Sequence, residues 1–319
     1  FPRLGAALGA ASSGIVASSS VIRCESQHAG PAAGMPVSSA WARCHSAKLT
    51  KIHEAEARVL SQMIGTPYEA MDVPVKLGVS RRCFLQSDDV QYTIRTIIVG
   101  AEHKHKPPIV LVHGFMMGAA AFFKWLPLLA QERTVYVIDI IGMGGSGRPP
   151  FDAKRISAEE AENLLVDPFE CWAQAMGLTS FTLLGHSFGG YVCSAWALKH
   201  PGRVNCLGLL SPLLGFSDDR IAHFEQREDV SWQRRALRCI IDTAWARNIT
   251  PQSVVRWVPG AKGWFERASV RRFQSMASDV SEEEGRLLSA YVVATMDMPS
   301  STEQAATVCF GPLLRPVEV

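Results

Sequence analysis

The chain has 319 residues, of which 47% are hydrophobic and 19% charged, enough apolar material for one large globular domain with additional segments. The 32 Lys and Arg residues nearly balance the 30 Asp and Glu residues, and the net charge of +2 excludes the strong basicity of a typical nucleic-acid-binding protein. The eight cysteines form no C-x-x-C pair, which favours buried free thiols of an intracellular protein over a metal site or a disulfide framework. We therefore expect no metal and no cofactor.

Residues 1–47 differ in composition from the rest of the chain. They are rich in Ala, Ser and Gly and contain three arginines but one acidic residue, Glu25. Organelle transit segments have this composition. Three interpretations of the segment are open: a disordered tail, a mitochondrial presequence and a secretory signal. The uncharged run 4–22 is too weakly apolar to predict a membrane span. We predict a separate low-complexity segment, either a targeting segment or a disordered tail, in an intracellular protein whose candidate locations are mitochondria and a membrane or lipid-droplet surface.

Downstream, strand-like and helix-like segments alternate. An amphipathic helix at 48–65 ends at Gly65-Thr66-Pro67, and period-two patterns at 72–79 and 91–100 predict strands. Short apolar runs predict buried parallel strands at 108–114, 134–142, 180–187 and 203–212, and helical patterns lie at 119–131, 157–177 and 188–200. This alternation predicts a mostly parallel α/β sheet with helices on both faces, formed by residues 48–212. Residues 213–310 are helix-rich and are interpreted as a cap over the sheet.

A G-x-S-x-G pentapeptide, Gly185 to Gly189, stands between a predicted strand and a predicted helix. A sharp strand-to-helix turn strains its central residue and exposes it at the end of the strand, and the flanking glycines leave room for the turn. The helix then begins at once, so its first N–H groups point toward a developing oxyanion. The pattern identifies Ser187 as the candidate nucleophile, with a structural turn serine as the alternative.

The strand ending in His113-Gly114 supplies a second part of such a site. An oxyanion hole takes one donor from this loop and one from the residue after the nucleophile, so we assign the donors to the backbone N–H groups of Phe115 and Phe188. His113 is expected to shape the loop through hydrogen bonds rather than to act as the base.

The segment "DIIGMGGSGRPP" matches the dinucleotide-binding pattern G-x-G-x-x-G at Gly142, Gly144 and Gly147. A dinucleotide site needs a helix that begins at this loop, and Pro149 and Pro150 prevent one. We therefore predict a tight structural loop that begins at Asp139.

The motifs "HGF", "DIIGMGGSGRP" and "LGHSFGG" in this order resemble the α/β-hydrolase fold. Together with "FERASVRRFQSM" and "FGPLLRP", they resemble the branch of α/β-hydrolase-domain proteins four and five and their yeast and plant relatives. That branch includes lysophospholipases acting on N-acyl phosphatidylethanolamines, a mitochondrial cardiolipin deacylase, lysophosphatidic acid acyltransferases and a lipid-droplet lipase co-activator. The resemblance covers roughly residues 50–319.

The histidine that would activate Ser187 is not apparent. In this fold the acid and the histidine follow the nucleophile in chain order, and only His200 and His223 do so here. His200 lies several helical turns away, His223 lies in the cap, and no histidine shows the branch's H-x-x-x-x-D motif. The resemblance implies that residues 311–319 begin the return to the core. The expectation is therefore that the acid, the histidine and the last two strands are missing from this chain, and that the chain as given is inactive.

The cap suggests the substrate. Between Trp232 and Arg272 there are nine Lys and Arg residues, two acids and four tryptophans, a composition suited to anionic lipid head groups and to an interface. The alternative is a solvated basic face with tryptophans filling the cap core. The resemblance implies three functions: a lipid ester hydrolase of the phospholipase or lysophospholipase class, an acyltransferase with a lysophospholipid as acceptor, or a non-catalytic lipid-binding co-activator. The expected partners are a lipid or lysophospholipid substrate and a membrane or lipid-droplet surface.

Overall fold

A computed structural model describes residues 39–77, 91–214, 232–276 and 279–311. Six strands form one sheet in the order β1-β2-β4-β3-β5-β6. They are β1 (Tyr68–Lys76), β2 (Gln91–Val99), β3 (Ile109–Val112), β4 (Val135–Ile138), β5 (Phe181–His186) and β6 (Val204–Leu210). Strand β2 pairs antiparallel with β1 and β4, and β3 to β6 are mutually parallel. The predicted mostly parallel sheet is confirmed, with β2 alone running antiparallel to the other described strands.

Both faces of the sheet are covered by helices. Val110 and Val112 of β3 pack with the helices α3 (Ala158–Ala175) and α4 (Phe188–Lys199). Leu111 points to the opposite face, where it packs with the helix α1 (Ser39–Met63). Because successive side chains of a strand alternate between faces, a fully apolar strand needs a helix layer on each side. The doubly covered α/β architecture is confirmed.

Two predicted helices differ from the observed ones. Helix α1 begins at Ser39, upstream of the predicted start at Lys48 and inside the low-complexity segment. The predicted helix at 119–131 is instead a 3-10 turn, Ala119–Phe122, followed by α2 (Leu126–Ala130). A tertiary contact holds the 3-10 turn, because the Ala119 N–H donates to Asp139 Oδ1 at 2.6 Å. The proline at position N2 of α2 lacks the N–H that would continue a helix from the preceding residues.

The region after the sheet is helical. Its helices are α5 (Trp232–Trp245), α6 (Pro251–Trp257), α7 (Ala261–Met276), α8 (Glu282–Met296) and the short α9 (Ala305–Cys309). Helix α8 packs against α1, and its Leu288 and Tyr291 belong to the same apolar cluster as Leu111. The last long helix of the predicted cap is therefore part of the layer that covers the sheet.

Strand β6 is unusually exposed for a parallel strand. Within the described residues it pairs with β5 alone, and Leu207 and Leu209 are exposed to solvent. Leu198 on the neighbouring helix α4 is also exposed. Within the described residues, this edge combines unpaired backbone groups with apolar side chains.

Five cysteines are free thiols, namely Cys171, Cys193, Cys206, Cys239 and Cys309. Cys193 and Cys309 are buried, as predicted, and Cys171 is partly buried. Cys206 on β6 and Cys239 on α5 are exposed, so the prediction of buried thiols was wrong for these two. Both lie on elements with one uncovered face.

Candidate active site

The turn between β5 and α4 holds Ser187 in a backbone conformation that few non-glycine residues adopt. Its φ is 53° and its ψ is −117°. The Ser187 N–H donates to the Leu210 carbonyl at 3.0 Å, and the Ser187 carbonyl accepts from the Leu213 N–H at 2.9 Å. Backbone strain of this kind costs about 1–3 kcal/mol and persists only where surrounding contacts enforce it. The predicted strand–turn–helix setting of Ser187 is therefore confirmed.

Packing accounts for the two glycines that flank Ser187. A Cβ at Gly189 would overlap the carbonyl oxygens of Val112 and His113, and a Cβ at Gly185 would lie 2.5 Å from the Gly189 carbonyl oxygen. The helix α4 is thus pressed against the end of β3 through backbone atoms. Any larger residue at either position would move the helix that carries the serine.

The loop after β3 passes beside Ser187. A Cβ at Gly114 would lie 3.0 Å from Ser187 Cβ, and the rings of Phe115 and Phe188 meet edge to face with centroids 5.9 Å apart. Phe188 is the first residue of α4, so its N–H has no partner within the helix. In the described part of the chain, neither this N–H nor that of Phe115 donates a hydrogen bond to another backbone group. The two expected oxyanion donors therefore belong to residues beside the serine, and no described backbone acceptor engages them.

His113 is fully buried, and both of its ring nitrogens are engaged. Nε2 accepts from the Ile140 N–H at 3.0 Å, so the proton is on Nδ1, which donates to the Gly114 carbonyl at 2.8 Å. Burial lowers the pKa of His113 to about 4, and the ring is neutral at neutral pH. His113 joins the two loops, in agreement with the expected role, and has no nitrogen left to accept a proton from serine.

The glycine-rich loop after β4 surrounds the buried carboxylate of Asp139. Its oxygens accept from the Ala119 and Gly145 N–H groups, both at 2.6 Å, and burial raises the pKa of Asp139 to about 6. Gly144 has a φ of 51° and lies directly against the carboxylate. The next α-helix in the described chain, α3, begins only at Ala158. The geometry is that of a structural loop, as predicted.

The histidines that follow Ser187 do not reach it in the described residues. His200 caps the far end of α4, where its ring lies 5.0 Å from that of Trp196 and its Nε2 lies 3.9 Å from a Glu170 oxygen. The 12 residues of α4 rise about 18 Å along the helix. His223 lies outside the described residues. His186 precedes the serine and packs against Gly114, and burial lowers its pKa.

Sequence reasoning missed the role of Arg148. This buried side chain donates to the Gly142 carbonyl and, at 2.8 Å, to the Gly144 carbonyl, so it holds the glycine-rich loop closed. Burial lowers the pKa of Arg148 to about 10, and the guanidinium stays charged at neutral pH. The sequence feature that could have indicated this role is an arginine directly after a glycine-rich turn, where backbone carbonyls need hydrogen-bond donors.

The cap presents tryptophans to solvent. Trp257 is 64% exposed, Val258 51% and Trp264 59%, and these residues flank the single turn between α6 and α7. Trp232 at the start of α5 is exposed as well. The alternative in which tryptophans fill the cap core is therefore wrong for these three. Trp245 is partly buried and lies edge to face with Phe115 at 6.2 Å.

The described residues offer neither a metal site nor a helix that could span a membrane. Within residues 39–77, 91–214, 232–276 and 279–311, no group of three or more His, Cys, Asp or Glu side chains is placed to bind a metal ion. No described helix combines the length and the apolar character that crossing a bilayer requires.

The fold and the geometry around Ser187 define a class. The chain belongs to the α/β-hydrolase fold family, whose family model, described as alpha/beta hydrolase fold, matches residues 107–277. The matched range contains β3 to β6, the turn at Ser187 and the glycine-rich loop.

The similar proteins act on lipids according to their names. The chain is 35% identical over 284 residues to a probable 1-acylglycerol-3-phosphate O-acyltransferase of Oryza sativa subsp. japonica, covering 86% of this chain and 66% of that protein. It is 32% identical to the human (lyso)-N-acylphosphatidylethanolamine lipase, covering 59% and 54%. It is 44% identical over 133 residues to the human 1-acylglycerol-3-phosphate O-acyltransferase ABHD5, covering 42% and 35%. The chain thus spans less than two thirds of each of these relatives.

Proposed function

We propose that Ser187 is the nucleophile of an enzyme that cleaves carboxylic esters of lipids, of the phospholipase or lysophospholipase class. The single observation that carries the proposal is the strained backbone of Ser187, with φ at 53°, directly beside the loop at Gly114. Lipid-acting relatives of both the lipase and the acyltransferase kind support the substrate class.

In the proposed reaction, Ser187 Oγ attacks the ester carbonyl carbon and loses its proton to a base. The carbonyl oxygen becomes an oxyanion, which accepts hydrogen bonds from the Phe115 and Phe188 N–H groups. The tetrahedral intermediate then expels the alcohol, here a lysolipid or glycerol derivative, which takes up the proton. Water attacks the acyl-serine, releases a fatty acid and restores Ser187.

We place the base and its acid partner outside the described residues. The support for this is the engagement of both His113 nitrogens and the position of His200 at the far end of α4. Without an imidazole in contact, Ser187 keeps its proton and reacts slowly, although the oxyanion donors preserve a residual rate. The described residues alone are accordingly proposed to supply no base for Ser187.

A fluorophosphonate probe tests the nucleophile. We expect it to label the full-length protein, to lose that label in Ser187→Ala, and to keep it in Ser194→Ala. Ser194 is the matched control because it lies on the same helix with its hydroxyl bonded to the Gly190 carbonyl at 2.8 Å. Equal labelling of the Ser187→Ala protein would refute the assignment.

Acyl transfer is the alternative outcome of the same acyl-serine. A lysophospholipid hydroxyl replaces water as the attacking group, and the product is a diacyl lipid instead of a fatty acid. Two of the relatives are named as acyltransferases, which supports this alternative. The comparison is made on one labelled acyl donor with and without lysophosphatidic acid, by measuring labelled fatty acid against labelled phosphatidic acid. A third proposal, a non-catalytic lipid-binding co-activator, is supported if neither product forms and Ser187 is unreactive.

We also propose that the cap rests on a lipid surface, at a membrane or a lipid droplet. Trp257 and Val258 are exposed at the end of α6 and Trp264 is exposed in the first turn of α7, and the exposed Arg267, Arg271 and Arg272 follow on α7. Tryptophan rings favour the interface, and cations near it are attracted to anionic lipids by about 1 kcal/mol each.

Vesicle co-sedimentation tests the lipid surface. Phosphatidylcholine vesicles with phosphatidylserine should bind the chain more strongly than phosphatidylcholine alone. The pair Trp257→Ala/Trp264→Ala should reduce binding severalfold, whereas Trp125→Ala, which removes an exposed tryptophan outside the cap, should not. Equal losses in both variants would argue against a specific role for the turn.

A further inference from the structure

A small cavity lies where the cap meets the glycine-rich loop and the loop after β3. Its volume is about 10 Å³, the space of about one water molecule. Met116 and Met117 of the loop after β3 line one side, and Met143 of the glycine-rich loop and Met296 of α8 line others. The lining therefore comes from segments far apart in the sequence.

Three buried polar side chains also line this cavity, namely Arg148, Gln252 and Glu303. In the described part of the chain, one atom of each lacks a hydrogen-bond partner: Arg148 Nε, Gln252 Oε1 and Glu303 Oε1. The remaining groups of Arg148 and Glu303 are engaged. Arg148 donates through its two terminal nitrogens to loop carbonyls, and Glu303 Oε2 accepts from the Ser301 N–H at 2.6 Å.

Glu303 Oε1 also lies 3.0 Å from Arg256 Nη2. This ion pair supplies charge compensation for the buried carboxylate, but Glu303 Oε1 still lacks a hydrogen-bond donor. Buried polar atoms are nearly always hydrogen-bonded, since an unpaired one costs much of its desolvation free energy. Three such atoms around one cavity therefore call for a shared partner.

The pattern of donors and acceptors selects the chemistry of that partner. Arg148 Nε–H is a donor, and the Gln252 and Glu303 oxygens are acceptors. A sodium ion would be attracted to the two oxygens but repelled by the charged guanidinium. A chloride ion would be attracted to the guanidinium but repelled by the carboxylate. A water molecule has two donors and can accept, so it satisfies all three atoms at once.

We propose that this cavity is a binding site for one ordered water molecule. The water accepts from Arg148 Nε–H and donates to Gln252 Oε1 and Glu303 Oε1. It thereby links the glycine-rich loop, through Arg148, to helix α6, through Gln252, and to the segment that precedes α9, through Glu303. Arg148 and Gln252 act as positioning residues that fasten the cap to the loops beside Ser187.

The first test is a crystal structure of the full chain at a resolution that shows ordered water. A water peak within hydrogen-bond distance of Arg148 Nε, Gln252 Oε1 and Glu303 Oε1 is expected. A direct contact between Arg148 Nε and either oxygen, an ion in place of the water, or a cavity without density would overturn the proposal.

The second test removes one acceptor at nearly constant volume. Gln252→Met should displace the water and lower the melting temperature by roughly 2 to 8 °C. Gln274→Met, at an exposed position on α7, should leave the melting temperature within about 1 °C. If Gln252→Met melts like the unmodified protein, the water does not fasten the cap. Neither test depends on enzymatic activity, so a failed nucleophile assignment would leave both interpretable.

Discussion

Helix α4 touches strand β3 through Gly189, so Gly189→Ala is expected to destabilise the protein strongly. The added Cβ would overlap two backbone carbonyl oxygens and lie 2.8 Å from the Val112 carbonyl carbon. Overpacking in a core costs about 1–3 kcal/mol, and backbone atoms of a central strand cannot rotate away as a flexible side chain can. We therefore expect a loss at the upper end, about 3 kcal/mol.

Gly263→Ala is the matched control, because it makes the same chemical change in helix α7. The nearest atom to its Cβ is Arg267 Nη1 at 3.4 Å, the end of a flexible side chain. Replacing glycine by alanine inside a helix stabilises it by about 0.5–1 kcal/mol when space is available. The two substitutions should therefore change stability in opposite directions.

Thermal unfolding followed by circular dichroism measures the difference. At about 2–4 °C per kcal/mol, the Gly189→Ala protein should melt at least about 7 °C below the Gly263→Ala protein. Urea unfolding gives the free energies independently, provided that the m-value stays constant. A Gly189→Ala protein that melts at or above the unmodified chain would show that α4 and β3 are not held at this separation.

Three further predictions concern charge and the sheet edge. Arg95→Met leaves the buried Glu56 carboxylate without its partner at 2.6 Å and should cost about 3–5 kcal/mol. The double variant with Glu56→Leu should recover most of that loss in urea unfolding, and an equal loss in both would contradict the pairing. Burial lowers the pKa of His113 from 6.5 to about 4, so its stabilising contribution is complete above pH 6.5 and is lost as the pH falls toward 4. His113→Asn should therefore weaken the pH dependence of the melting temperature in that window, and an unchanged slope would count against it. Exposed strand edges with apolar side chains invite association, so the 319-residue chain should self-associate in size-exclusion chromatography, and Leu207→Lys/Leu209→Lys should reduce this; an identical elution profile would place the contact elsewhere.

Local patterns in the sequence were sufficient for the sheet and for the turn at Ser187. The strands β3 to β6 are short apolar runs, and the pentapeptide needs only its neighbours to be recognised. The 3-10 turn at Ala119–Phe122 could not be predicted, because its first N–H is held by Asp139, 20 positions later in the chain. Sequence patterns indicate local conformational propensities, whereas a tertiary hydrogen bond determines the conformation of this turn.

The polar cavity was beyond prediction for the same reason. Arg148, Gln252 and Glu303 come from three segments, and no local pattern relates them. In the sequence, Arg148 stands out only as the residue before two prolines. The base stays a prediction, because His200 lies at the far end of α4 and His223 lies outside the described residues.

The two ends of helix α5 face different surroundings. At its start Trp232 is exposed, and at its end the Trp245 indole donates to the Phe310 carbonyl at 2.7 Å and meets the Phe115 ring. Helix α8, by contrast, is anchored in the layer beneath. A tilt of α5 would thus pivot about Trp245 and shift the Phe115 loop while the sheet stays fixed. The helix has the geometry of a lever, with its long arm in solvent and its short arm on the loop that holds Phe115.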